Sequence, residues 1–246
     1  MPDYLGVIHD TIWTGDDASG YRTSMRWTAT GTDAARGVPI VSSVIANCVV
    51  LGDRYVEEWA GANSKHGTDQ LGIDPDTAAT DLVASGPPPG GNAGRSAQEQ
   101  GATVPAVPET VDGAGLFVVE LLDGLYNRRD LDLVEKRYAP GAPYVFGASQ
   151  RQAGHTGVRS EAGRWLDLLP DARLEVEELY WLDDGPARSR VAVRYRIRGT
   201  AQAAGGAAAP VSIMGIHHVH VRGDLVVAEW AEYDELALRA QVLRRG

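Results

Sequence analysis

The 246-residue sequence has one cysteine, few lysines and no long apolar run. Cys48 alone cannot form an internal disulfide or a Cys-rich zinc site. No stretch approaches the roughly 18 apolar residues of a membrane span. The start, Met1-Pro2-Asp3-Tyr4, lacks a basic region followed by an apolar stretch, the pattern of a secretory signal, so the cytoplasm is the expected compartment. Basic charge is also in short supply. There are 23 Lys and Arg against 33 Asp and Glu, a net charge of −10, which argues against nucleic acid because phosphates demand a basic face. Nearly all the basic residues are arginine. Beside abundant Ala and Gly, this reads as a coding bias more than as an arginine-based function. With 43% hydrophobic and 23% charged residues, the composition is that of a globular chain of one or two domains.

The sequence repeats itself. At an offset of 168, residues 2–32 lie over 170–200 with 8 identities in 31 positions. Pro2-Asp3, Trp13, Asp16, Arg22, Arg26 and Gly31-Thr32 match Pro170-Asp171, Trp181, Asp184, Arg190, Arg194 and Gly199-Thr200. At an offset of 171, Pro39, Gly52-Asp53 and Glu58-Trp59-Ala60 match Pro210, Gly223-Asp224 and Glu229-Trp230-Ala231. Residues 110–169 have no counterpart in the first copy, and Met1 falls where Leu169 falls. The expected organisation is a partial copy over 1–72, a linker over 73–109 and a complete copy over 110–246. The linker carries Gly86-Pro87-Pro88-Pro89-Gly90-Gly91 and is expected to be mobile.

In the complete copy, Val118, Leu121, Leu122 and Leu125 fall at helical spacing, predicting a helix over 112–127. A short helix over 131–138 follows, with Asp130 as its cap, then a strand at 144–146. A third helix over 157–169 ends at Pro170. The period then changes to two, predicting strands over 172–182, 189–199, 211–221 and 225–234, the last two joined at Gly223-Asp224. Helices followed by a four-strand meander give an α+β fold with helices on one face of a curved sheet. The first copy supplies strands only, about 4–14, 21–31, 39–51 and 55–63.

This order resembles the nuclear transport factor 2-like cone. The run Gly-Asp-Leu-Val-Val-Ala-Glu-Trp-Ala-Glu-Tyr-Asp-Glu-Leu-Ala-Leu (223–238) resembles the closing strand of SnoaL-like polyketide cyclases. Glu58-Trp59 through Asp74-Pro75 is similar to the same ending in tandem members, and Leu169-Pro170-Asp171 fits the family's Pro-Asp before its first long strand. The resemblance implies a cone with one apolar pocket for a small molecule. It also implies cofactor-free, metal-free acid/base chemistry by a pocket aspartate, which matches Asp234, with a nearby histidine. The family's histidine matches His220, with His218 one pleat away. A carboxylate in an apolar pocket can take a proton alpha to a carbonyl while a donor stabilises the enolate.

Asp234 shares strand parity with Trp230, so it faces inward if the tryptophan does; otherwise it caps the following helix. A two-residue Gly223-Asp224 turn would instead place His217 opposite Trp230, and one residue of register reverses the assignment. A His-x-His strand can bind metal, but no third ligand follows by spacing. Trp230, Tyr195, Trp165 and Tyr138 are the candidate substrate-binding residues, with core packing as their alternative role. Arg194, which matches Arg26, reads as a salt-bridge residue, and His155 as loop surface. In the first copy Asn63, Ala46, Asn47 and Val49 replace Asp234, His217, His218 and His220, so this half is not expected to catalyse. The expected activity is a cyclase, isomerase or lyase acting on a polyketide-like or other small carbonyl compound. The alternative is a non-catalytic small-molecule-binding or dimerisation module. A second copy of the chain is a candidate partner, because a sheet without its helices exposes an apolar face.

Overall fold

The computed structural model describes residues 1–86, 95–146, 150–202 and 208–243. Four long strands open the chain: β1 (Leu5–Asp16), β2 (Gly20–Asp33), β3 (Val38–Leu51) and β4 (Arg54–Ala62). They form an antiparallel meander in sequence order. Helices α1 (Ser64–Gln70) and α2 (Pro75–Ser85) follow. The second half contains α3 (Gly113–Leu122), a π-helical turn at Asp123–Asn127, α4 (Leu133–Arg137), β5 (Pro143–Phe146), β6 (Gln150–Ala153) and α5 (Gly154–Leu168). It closes with β7 (Arg173–Asp183), β8 (Arg188–Gln202), β9 (Ala208–Arg222), β10 (Leu225–Tyr233) and α6 (Glu235–Leu243). These last strands form a six-stranded sheet in the order β6-β5-β10-β9-β8-β7, with β5 parallel to β10. The fold is α+β, as the order of sequence periods predicts.

The helices cover one face of the larger sheet. Val118, Leu121 and Leu122 of α3, with Val158, Ala162 and Trp165 of α5, pack on Val191, Val193, Tyr195 and Ile197 of β8. Two β-bulges, at Glu177 and Val227, add bend and twist to this sheet. The smaller sheet has bulges at His9 and Val56, the positions that the offsets of 168 and 171 assign to them.

The smaller sheet lies against the other face of the larger one, and Ile12 packs there with Tyr180 and Ala192. The polar contacts between the sheets come in reciprocal sets. Arg22 pairs with Glu178 at 2.8 Å, and Arg190 pairs with Asp10 at 2.5 Å. Asn47 donates to Glu178, while His218 faces Asp10. Arg26 stacks over Trp230, and Arg194 over Trp59. Asn63 donates to Glu235, and Ser64 donates to Asp234. The sequence offsets interchange the two members of each set.

The segment expected as a mobile linker departs from that reading on both sides of residues 87–94, which lie outside the described residues. Asp74 caps α2, Pro75 starts it without losing a needed N–H, and Ala79 packs on Leu236 and Ala240. Residues 97–104 pack on Val49 of β3. The short helix α4 has Asp132 rather than Asp130 at its cap position. No helix among the described residues is long and apolar enough to cross a membrane.

Candidate active site

Alternation along β9 and β10 decides which side chains reach the cone. On β9, the odd-numbered Val211, Ile213, Val219 and Val221 join the helix-covered core. His217 shares their parity and is 1% exposed. The β9–β10 turn starts with Leu225 opposite Arg222 and Val226 opposite Val221. The bulge at Val227 then shifts the pairing by one, so Trp230 lies opposite His218 and Ala231 opposite His217. Glu229, Ala231 and Tyr233 therefore turn toward the cone, and Trp230 toward the smaller sheet.

Inside the cone a chain of four polar side chains crosses from helix to sheet. The Tyr138 hydroxyl donates to Glu229 Oε2 at 2.6 Å, and Glu229 Oε1 lies 2.6 Å from His217 Nδ1. His217 Nε2 lies 2.8 Å from the Tyr195 hydroxyl. With the carboxylate accepting from Nδ1–H, Nε2 is left to accept from Tyr195. Burial pushes the phenols of Tyr138 and Tyr195 well above the usual tyrosine range, so both remain donors. Gly215 makes room for this arrangement, because a Cβ there would lie 2.4 Å from the Tyr195 hydroxyl oxygen.

A second polar group stands nearer the surface. The Tyr233 hydroxyl donates to Glu161, and Arg164 bonds both of them. Burial raises the Glu161 pKa, against the opposing pull of Arg164. Arg164 also lines a cavity of about 500 Å³ with Leu168, Ala201, Leu238, Val242 and Lys65. This cavity joins α5, α6 and the end of β8 to α1 and α2, and neither Glu161 nor His217 lines it.

The structure does not bring Asp234 together with His218 or His220. Asp234 ends β10 and accepts from the Leu236 and Ala237 amides, which cap α6, and from Ser64. Its side chain is held by helix capping instead of a pocket. His218 and His220 lie on the opposite face of β9, against the smaller sheet. His218 Nε2 is 2.7 Å from Ser24, and His220 Nε2 is 2.9 Å from Asp10. Burial of Asp10 would raise its pKa, but the nearby His218 and the hydrogen bonds from His220 and Arg190 outweigh it and hold the carboxyl well below the usual range. Burial lowers the His218 pKa, with Asp10 pulling the other way. Trp230 meets His220 edge to face outside the cone, whereas Tyr195, Trp165 and Tyr138 lie within it. His155 opens α5 and bonds the Tyr138 carbonyl at 2.8 Å, so it is not loop surface. Arg194 bonds Glu177 and Glu178. Among the described residues no group of three or more His, Cys, Asp and Glu converges as a metal cage.

Glu229, Glu161 and Tyr233 were not singled out from the sequence, and His217 was one of three open alternatives. The odd-even alternation of β9 is the signal that points to His217.

A family model described as SnoaL-like polyketide cyclase matches residues 117–242. The chain belongs to the SnoaL-like polyketide cyclase family. Several solved structures are similar to this family member over about half its length. A candidate polyketide cyclase from Acidithiobacillus ferrooxidans is 12% identical, with 56% of this chain and 99% of that chain covered and a TM-score of 0.45. AclR, a candidate hydroxylase from Streptomyces galilaeus, is 21% identical over 52% of this chain and 81% of its own, with a TM-score of 0.43. IdmH, a candidate polyketide cyclase from Streptomyces antibioticus, is 20% identical over 52% of this chain and 98% of its own, also with a TM-score of 0.43. No protein of curated function matches the chain.

Proposed function

We propose that this family member performs cofactor-free acid/base chemistry on a small carbonyl compound of polyketide type within the cone of its second half. The observation that carries the reading is the buried Tyr138–Glu229–His217–Tyr195 chain. His217 is the proton-transfer group. Its Nε2 takes a proton alpha to the substrate carbonyl, and Glu229 stabilises the imidazolium that results. The Tyr195 hydroxyl, released from Nε2, donates to the enolate oxygen. Return of the proton to carbon or oxygen completes an isomerisation, and attack of the enolate on a second carbonyl, with the His217 imidazolium returning its proton to the new alkoxide, completes a cyclisation. Trp165 and Tyr138 supply apolar and polar wall.

The domain reading that accompanies it is a partial copy over 1–72 and a complete copy over 110–246. The reciprocal contacts and matching bulges support it. In the first copy Ala46 stands where His217 stands, and Glu58 is exposed. That copy therefore serves as a tethered partner for the larger sheet rather than as a second catalyst. Its outward face, where Trp13 is 46% exposed, is the candidate contact for a second chain.

The closed interior favours a second reading, a non-catalytic binding or dimerisation module, since His217 and Trp165 are each 1% exposed. Turnover of a panel of polyketide-like ketones separates the two. His217→Asn and Glu229→Gln are expected to lower kcat by about 10²–10⁴-fold. Unchanged turnover in His217→Asn removes that residue from the role. Asp234→Asn in the same panel tests the alternative assignment to Asp234 with His218 and His220. Binding without turnover in the wild-type protein selects the module.

A further inference from the structure

A second cleft lies on the opposite face of the larger sheet, near the β7–β8 and β9–β10 turns. It has a volume of about 320 Å³ and is lined by Arg188, Arg190, His220, Arg222, Asp184 and Val227, among others. In a chain of net charge −10 this is a local concentration of positive charge. Arg188 and Arg222 are direct cross-strand neighbours on β8 and β9, and Arg190 and His220 form the next pair on the same face. Like charges placed directly opposite each other are unfavourable. Arg190 is neutralised by Asp184 and Asp10. Among the described residues, neither Arg188 nor Arg222 has an ion pair.

The equivalent place in the smaller sheet is built differently. The residues at the positions of Arg188, His220, Arg222 and Val227 are Gly20, Val49, Leu51 and Val56. That apolar patch is covered by the chain itself. Ala97, Ala102 and Val104 pack on Val49, and Gln100 donates to the Val56 carbonyl at 2.7 Å. Thr103 and Val104 donate to the Ser19 carbonyl. One member of the pair is thus filled by the chain itself, with Arg22 donating to the Val104 carbonyl, while the other is open and holds two guanidinium groups without ion pairs among the described residues.

We infer that the Arg188–Arg222 cleft is a binding site for a small oxyanion, a phosphate- or carboxylate-bearing ligand separate from the substrate of the cone. The two guanidinium groups present N–H forks suited to bidentate contacts with such groups. A bound anion would relieve the repulsion between them. His220, at the inner wall, is tied to Asp10 and contributes a ring N–H toward that carboxylate rather than to the ligand.

The test is calorimetric titration of the full chain with inorganic phosphate and with citrate, beside thermal unfolding in anion-poor buffer. The expected result is saturable binding of one or both probes, weakened by added salt. A preference for phosphate or for citrate identifies the ligand class. Arg222→Ser and Arg188→Ser are expected to weaken binding at least tenfold. Without anion they are expected to unfold at a higher temperature than wild type, because the repulsive pair is gone. With anion present that order reverses. Absence of saturable binding to the wild-type chain, or equal binding by the Ser variants, overturns the inference. A loss of stability in both buffers also counts against it, since it assigns the arginines to packing.

Discussion

Glu232 offers a stringent test of how the two sheets meet. It lies on β10 with its side chain between the sheets and is 4% exposed. Ser43 donates to one carboxyl oxygen, the other oxygen has no partner, and the backbone of Gly61 lies opposite. Burial pushes its pKa from an ordinary 4.5 up to about 8, with the Ser43 hydrogen bond and Arg26 pulling the other way. The folded chain therefore keeps a proton between these values that the unfolded chain has released. The stabilising contribution is fully present below about pH 4.5 and is lost as pH rises through about 8. At about 1.4 kcal/mol for each pH unit, ionisation costs the folded state up to about 5 kcal/mol. Glu232→Gln keeps the shape and removes the titration. Urea unfolding of both proteins from pH 5 to 9 should give similar stabilities at the acid end. The variant should gain steadily on wild type from pH 5 to 8. Parallel curves, with a constant difference across that range, would refute the placement of Glu232 in a dry interface.

Two further predictions concern stability alone. Glu178→Ala strands the buried Arg22, leaves Arg194 with Glu177 alone, and should cost about 3–5 kcal/mol in urea unfolding, whereas Glu175→Ala, which breaks the exposed pair with Arg198, should cost less than about 1 kcal/mol. Equal costs would show that the Glu178 network does not hold the sheets together. Asp234→Ala removes the α6 cap and should cost about 1 kcal/mol, while Asp234→Asn, which retains a capping oxygen, should cost appreciably less by the same unfolding measurement.

The elements were legible because each segment carries one clear period. Helical spacing at Val118, Leu121, Leu122 and Leu125 marked α3, and alternation from Val191 to Ile197 marked β8. Strand positions in the first half followed from the repeat. The site was harder to read because the larger sheet is buried on both faces. Trp230 packs under Arg26 on one side and Tyr233 packs on Phe146 on the other, so an aromatic residue on β10 does not identify the cone side. The extra residue at Val227 has no distinctive side chain, and it decides the register that the sequence leaves open between His217 and His218. The reading of 73–109 as a mobile linker rested on its Pro, Gly and Ser content. It missed that Asp74-Pro75 is a helix start, and that the small Ala97 and Ala102 fit closely against Val49.

The bulge at Val227 gives one residue of backbone the power to choose which chemistry each face receives. Were β10 regular from its turn onward, Glu229 would face the other sheet and Trp230 would enter the cone. His217 would then lose its carboxylate. A buried histidine–carboxylate pair and a tryptophan can thus trade compartments with no change of side chain. A single residue gained or lost near this hairpin would move every later side chain of β10 to the other face, where a substitution at one position changes only that side chain.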